Sequence, residues 1–306
     1  MNSKKERSVI FWLFLTPALL AFAVVIVVPF FLGVIYSFTN WTSSSKVGDN
    51  LRFIGLENYI GSFKDPAFAY SFGVTVIYTF FNMIFINLVA FILAMLVTSK
   101  LKFRKIYRVG FFVPNLIGGL ILGYIWQFIF NNALPSLAGF SKIFASLAVP
   151  ENLMLANQST AIIALVIVGT WQYAGYIMMI YIAAIEGVPA ELHEQAMIDG
   201  ANTFQRVRAI VMPMVAQAFT VTMFLTLVQS FKQFDVNVSL TSGGPSAMFN
   251  GTPILGTELL ALNIYNTAFL SNKLAMGQAR AVVFFLVLAI VSLIQVSINK
   301  KKELEL

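Results

Sequence analysis

The chain has no cysteine, one histidine in 306 residues, and charged side chains at only 11% of positions. Without cysteine there can be no disulfide, thiolate metal site or cysteine nucleophile. A single histidine gives no basis for a histidine-rich metal centre. His193-Glu194 matches the start of the zinc-protease pattern, but Met197 stands where its second histidine belongs. A Walker phosphate loop needs glycine directly before lysine, and nowhere does glycine precede lysine, so the chain has no route to ATP hydrolysis of that kind. No short-period repeat is visible.

Apolar residues are abundant: hydrophobic side chains make up 58% of the chain and mean hydropathy is +0.82, whereas a soluble protein carries about 25% charged residues. The composition is that of an all-α polytopic membrane protein, and 306 residues leave no room for an additional ATPase domain. Apolar runs predict six spans, at about 9–38, 72–98, 109–130, 160–184, 214–234 and 276–298. Ala21-Phe22-Ala23 has the form of a signal-peptidase site, but the apolar run continues to Phe38, which favours an uncleaved anchor.

Orientation follows from the basic residues. Lys4, Lys5, Arg7, Lys100, Lys102, Arg104, Lys105, Arg108, Arg206, Arg208, Lys300, Lys301 and Lys302 fall on one side, thirteen against seven on the other (Lys46, Arg52, Lys64, Lys142, Lys232, Lys273 and Arg280). The richer side is expected to be cytoplasmic, with both termini inside. The net charge of +7 sits at span ends rather than on one soluble face, so it reads as topology and not as a nucleic-acid footprint. Outer loops are expected at about 39–71, 131–159 and 235–275. The third carries turn signals at Ser242-Gly243-Gly244-Pro245 and Asn250-Gly251, and a helical spacing of Leu255, Leu259, Leu262, Tyr265 and Phe269.

A charged island interrupts this pattern. Glu186, Glu191, Glu194, Asp199, Arg206 and Arg208 lie close together, and each would cost about 2.5–3.5 kcal/mol at a bilayer centre. The segment 186–213 is therefore a surface loop. Pro189 suits a helix's first turn, Glu191 and Glu194 complement its positive end, and Gly200 can close it in a left-handed conformation, giving a helix at about 190–199. A second helix is expected from about Asn202 towards Val211, with Pro213 in the first turn of the next span. Leu192, Gln195, Ala196 and Asp199 share one face of the first helix, which is either a docking surface or an amphipathic connector resting on headgroups.

Glu194-Gln195-Ala196, three residues, Gly200-Ala201 and then Pro213 resembles the Glu-Ala-Ala loop of permease subunits of ATP-binding-cassette importers, with Gln195 departing from the first Ala. Pro17-Ala18-Leu19-Leu20, Phe53-Ile54-Gly55-Leu56-Glu57-Asn58-Tyr59, Leu240-Thr241-Ser242-Gly243-Gly244-Pro245 and Ala275-Met276-Gly277-Gln278-Ala279 resemble the maltose, multiple-sugar and glycerol-phosphate branch. The resemblance implies one importer transmembrane domain over 1–306, with 186–213 as its cytoplasmic coupling loop. In that loop Glu194, Ala196, Asp199, Gly200, Ala201 and Pro213 would meet the ATPase. It further implies a second homologous permease, as a heterodimer, and two cytoplasmic ATP-binding subunits that use ATP and magnesium. An extracytoplasmic sugar-binding protein and a bacterial or archaeal cell membrane complete the expectation. No cofactor is expected on this chain.

A translocated sugar needs hydrogen-bonding partners. Thr222, Thr226, Gln229 and Gln233 form a polar stripe along the fifth span, marking either the pathway or a helix contact. Asn115, Gly119, Leu122 and Trp126 share a face of the third span, and Gln172 and Tyr176 share one on the fourth. An aromatic ring with an amide suits a sugar, but Trp and Tyr also anchor spans, and Gly119-x-x-x-Gly123 also packs helices. Lys232 and Asp235 have the spacing to pair. A self-sufficient secondary transporter would need intramembrane ion or proton carriers, and no span has a clear central acid. An intramembrane enzyme would need paired carboxylates or an intramembrane histidine, and the spans carry neither.

Overall fold

The computed structural model describes residues 3–42, 44, 51–99, 101–137, 149, 151 and 153–300. Of the basic residues used for topology, Lys46, Lys100, Lys142, Lys301 and Lys302 lie outside the described residues. The chain runs as α1 (Glu6–Tyr36), α2 (Glu57–Lys64), α3 (Pro66–Thr98), α4 (Arg104–Leu116), α5 (Gly119–Ser136), α6 (Gln158–Glu186), α7 (Ala190–Ile198), α8 (Thr203–Met214), α9 (Ala216–Phe231) and α10 (Asp235–Thr241). A hairpin of β1 (Ser246–Phe249) and β2 (Thr252–Leu255), then α11 (Leu260–Leu270) and α12 (Leu274–Asn299), complete it.

Among the described residues four helices, α1, α3, α6 and α12, are long and apolar enough to cross a membrane, and up to six spans result if each of two bent pairs counts as one. The third and fifth expected spans are those pairs. α4 and α5 meet at 99°, and α8 and α9 at 71°. At the first break Ile117 and Gly118 are extended, directly after a 3-10 turn that contains Pro114. Proline offers no N–H to the helical ladder, so the turn has one fewer bond to hold it. Asn115 therefore does not share a continuous helical face with Gly119, Leu122 and Trp126, contrary to the sequence reading. At the second break Pro213 lies near the end of α8, preceded by the wide turn Val207–Val211, and the next helix starts at Ala216. Pro213 thus closes one helix rather than opening the next.

Contacts divide the chain into two units, Met1–Asp65 with Ile264–Phe284, and Pro66–Asn263 with Phe285–Leu306. In the first unit the 53–59 motif is a clasp: Asn58 Nδ2 donates to the carbonyls of Ser37 and Thr39, each at 2.8 Å, and Tyr59 OH lies 2.6 Å from Ser37 Oγ. The 275–279 motif joins the same unit, with Ala275 N donating to Trp41 O at 3.0 Å. Arg280, one residue beyond, is 2% exposed, ion-pairs with Asp65 and donates to Thr267 Oγ1 at 2.6 Å.

The second unit is built on α3 packed along α6, with α9 against both and α10 against α5. On α3 the buried positions include Ser71, Thr75, Thr79, Asn82, Asn87, Ala90 and Ala94, while Ile77, Phe80, Phe81, Phe85 and Leu88 are exposed. These polar and small side chains share the inward face with Phe68, Tyr78 and Ile86, and keeping polar groups off the lipid while large apolar ones meet it is the arrangement a bilayer favours. The third outer loop differs from its expected helix at Leu255. Asn250 (φ 49°) and Gly251 (φ 76°) turn β1 into antiparallel β2, Leu255 pairs with Ser246, and the helix starts only at Leu260. An Asn-Gly pair accommodates two left-handed residues, which is what a two-residue hairpin requires.

Candidate functional site

The second unit carries both regions singled out by the sequence. In the charged island α7 covers Ala190–Ile198, with Pro189 at the capping position just before it instead of in its first turn. Gly200 has φ +79°. Its N–H donates to Met197 O at 3.1 Å, and that of Ala201 donates to Ala196 O at 2.9 Å. These two bonds form the Schellman closure, in which a left-handed residue satisfies carbonyls that the helix end would leave open. Ala196, Gly200 and Ala201 are thus a single stop signal. Asn202 opens α8 at once: its Oδ1 accepts from Gln205 N at 2.9 Å while Gln205 Oε1 accepts from Asn202 N at 2.8 Å. Such a capping interaction contributes about 1 kcal/mol.

Glu194, Gln195, Asp199 and Gly200 are exposed. Leu192 instead turns inward onto Val188, Val211 and Val215, so the four-residue face read from the sequence is not uniformly free. The outward apolar residues are Ile198 (85% exposed), Phe204 (71%) and Met197. Periodicity does not single them out, because α7 is short and lacks a clean apolar stripe. Glu186, at the end of α6, ion-pairs with Arg108 of α4, a partnership between distant residues that sequence spacing could not indicate.

The polar stripe of the fifth span divides. Thr222 and Thr226 are buried. Thr226 Oγ1 accepts from Asn87 Nδ2 at 2.8 Å and donates to Thr222 O at 2.7 Å, while Thr222 Oγ1 lies 2.7 Å from Tyr181 OH. Tyr181 OH donates to Asn87 Oδ1 at 2.8 Å, closing a circuit across α3, α6 and α9. Asn82 Nδ2 donates to Ser230 Oγ at 2.8 Å. Asn82 and Asn87 are not among the residues the sequence reading picks out, although two amides in an apolar run are the usual sign of an inward face.

Gln229 and Gln233 lie elsewhere. With Gln172, Tyr173, Gly119 and Lys232 they line a mostly polar cleft of about 140 Å³. Gln229 Nε2 donates to Tyr173 OH, and Gln172 Nε2 donates to Ile117 O at 3.2 Å while its Oε1 is buried without a partner. Gln233 lies two residues past the end of α9 and so is not on the helical stripe, yet it reaches the same cleft. Lys232 and Asp235 are both exposed and form no ion pair among the described residues; Asp235 opens α10.

Trp126 rests in the apolar cluster, its ring 5.2 Å from Phe130 and 5.6 Å from Trp171. Asn115 is half-buried beside the break, and Tyr176, one turn from Gln172, is exposed. Gly119 and Gly123 pack α5 on α10: an added Cβ would stand 2.7 Å from Asp235 Cβ at Gly119 and would overlap Ser239 Oγ at Gly123. These glycines serve close helix approach.

Broken apolar spans around a buried amide circuit, with a charged helix-turn-helix set into the chain, define a helical membrane transport subunit. The chain belongs to the family of binding-protein-dependent transport system inner membrane components, whose profile matches residues 74–303. It is 42% identical over 301 residues to the "Probable starch degradation products transport system permease protein AmyD" of Thermoanaerobacterium thermosulfurigenes, covering 98% of this chain and 97% of that one. It is 30% identical to the "Multiple sugar-binding transport system permease protein MsmF" of Streptococcus mutans, covering 95% and 96%. A crystal structure of a bacterial ABC transporter that imports the acidic polysaccharide alginate shares the fold, with a TM-score of 0.77 at 17% identity over 97% of this chain and 96% of that chain.

Proposed function

We propose that the chain is the membrane-spanning permease subunit of an ATP-driven carbohydrate importer, forming half of the pathway and taking its energy from separate ATPase subunits. The observation that carries the coupling assignment is the Schellman-closed α7: Gly200 ends the helix with Glu194, Asp199, Met197 and Ile198 exposed, and Phe204 in the first turn of α8 is exposed too. Exposed apolar side chains in a charged surface segment suit a protein partner better than bulk water. The relatives named for starch degradation products and multiple sugars support carbohydrate as the solute.

On this reading 1–306 is one transmembrane domain, with 186–213 as its coupling loop and both termini on the cytoplasmic side of a bacterial or archaeal cell membrane. A second, different permease completes the pore. Two ATP-binding subunits supply ATP and magnesium chemistry, and an extracytoplasmic sugar-binding protein delivers the substrate. Gln229, Gln233 and Gln172 are the pathway residues; Thr222 and Thr226 support them through the helix contacts. Asn115, Trp126 and Tyr176 do not line the cleft and are assigned weaker roles.

The test is to extract the chain from its native membrane in mild detergent, capture it, and identify its partners by mass spectrometry. A second permease together with an ATPase, whose hydrolysis a sugar-loaded binding protein stimulates, is the expected outcome. A chain that emerges alone under conditions that preserve other complexes overturns the reading in favour of a self-sufficient transporter.

A further inference from the structure

A second groove, separate from the polar cleft, runs between α3, α4 and α6. Val89, Leu93, Tyr107, Phe111, Trp171 and Ala174 are among its lining residues, its volume is about 550 Å³ and its walls are overwhelmingly apolar. The α4 wall is accessible: Ile106 is 67% exposed and Tyr107 46%. At the start of α4 the chain places Lys102, Arg104 and Lys105, all exposed. Arg104 is three residues before Tyr107 and so falls on the groove's side of the helix, one turn nearer its beginning, while Lys102 lies just ahead of the helix, across the left-handed Phe103 (φ 61°). Arg108, by contrast, is already held by Glu186.

This arrangement is unfavourable in isolation. The N-terminal end of a helix carries partial positive charge and favours anions in its first turn, yet α4 opens with Arg104 and Lys105 and no acidic residue. An anion at that end would relieve both the helix end and the mutual repulsion of three cations. An adjacent apolar groove calls for a hydrocarbon chain. One molecule in a membrane supplies both.

We propose that the groove between α3, α4 and α6 is a binding site for an anionic phospholipid, with an acyl chain along Leu93, Tyr107 and Phe111 and the phosphate at Lys102, Arg104 and Lys105. Basic clusters at the end of a membrane helix select anionic headgroups, and the groove converts that attraction into a defined site. The site stands independently of the transported solute.

The chain, extracted with the subunits that accompany it and then delipidated, is titrated with palmitoyl-oleoyl phosphatidylglycerol or phosphatidylcholine and bound lipid is counted by native mass spectrometry. Wild type should retain phosphatidylglycerol in preference. Lys102→Gln/Arg104→Gln/Lys105→Gln should lower phosphatidylglycerol binding by at least about tenfold, to the level of phosphatidylcholine. Gly110→Leu, at a groove position where an added Cβ meets nothing within 4 Å, should lower retention of both lipids. Equal binding of the two lipids by wild type, an unchanged preference in the triple variant, or undiminished retention of both lipids in Gly110→Leu overturns the site. Because the chain has no cysteine, Ile106→Cys gives a clean cross-linking probe, and efficient coupling to another polypeptide in native membranes would assign the groove to a subunit contact instead.

Discussion

Asn87 spends both ends of its amide on neighbouring helices: Nδ2 donates to Thr226 Oγ1 on α9 and Oδ1 accepts from Tyr181 on α6, each at 2.8 Å. A polar side chain facing lipid would be costly, and here the amide's partners are Met83 O on its own helix and side chains on two others. The circuit fixes how α3, α6 and α9 meet along their buried faces, and so fixes the wall from which Gln229 projects.

Thr226→Val keeps the side-chain shape and removes the oxygen that receives Asn87. Because membrane hydrogen bonds are worth about 0.6 kcal/mol on average and reach about 1.7 kcal/mol, a small drop in thermal midpoint of the detergent-solubilised chain is expected, with the KM for uptake unchanged. Combined with Asn87→Leu, the loss should be less than the sum of the two single losses, since both cut the same bond. A large rise in KM from Thr226→Val alone would move Thr226 from support into the pathway.

Gln229→Leu should act in the opposite way. It leaves the Asn87 circuit intact but removes an amide from the polar cleft and frees Tyr173 OH. Uptake should fall by about tenfold, the scale of one lost hydrogen bond at about 1.4 kcal/mol, while the complex elutes unchanged on size exclusion. Unaltered uptake kinetics would make the Gln229–Tyr173 contact a packing device.

Gly123→Ala forces a methyl group into Ser239 Oγ, with the backbone N of Leu240 only 3.1 Å from the new carbon. Overpacking of this kind costs about 1–3 kcal/mol. The thermal midpoint should drop, and Ser239→Gly in the same chain should recover part of it. No recovery would mean that the backbone of α10, and not the serine, sets the approach of the two helices.

What the sequence disclosed follows the range of each signal. Long apolar runs and basic flanks are local, so α1, α3, α6 and α12 were legible with small boundary errors. Gly200 and Asn202 act within one turn, and both helix ends appeared where those residues place them. The breaks at Ile117-Gly118 and Val215 were not legible, because apolar content continues through them and Pro114 and Pro213 also occur in helices that merely kink. Nor could the stripe at Thr222, Thr226, Gln229 and Gln233 reveal its division. Which residue bonds to a neighbouring helix depends on Asn87, Tyr181 and Tyr173, all at least 41 positions away in the chain.

Gly200 separates backbone conformation from side-chain space. Nothing lies within 4 Å of a Cβ built there, so Gly200→Ala meets only the strain of φ +79°, about 1–2 kcal/mol for a non-glycine residue. The helix end should relax slightly, and binding-protein-stimulated ATP hydrolysis should fall only a few-fold. Gly200→Pro is harsher on two counts: proline cannot reach positive φ, and it lacks the N–H that donates to Met197 O. The turn from α7 into α8 must then reopen, displacing Met197, Ile198 and Asp199 together while the circuit around Asn87 is untouched. Stimulated hydrolysis should be abolished with the pore pair still assembled on size exclusion. Graded loss, mild for alanine and complete for proline, is the signature of a coupling surface held by its backbone. Normal stimulation in Gly200→Pro would remove α7 from the coupling path altogether.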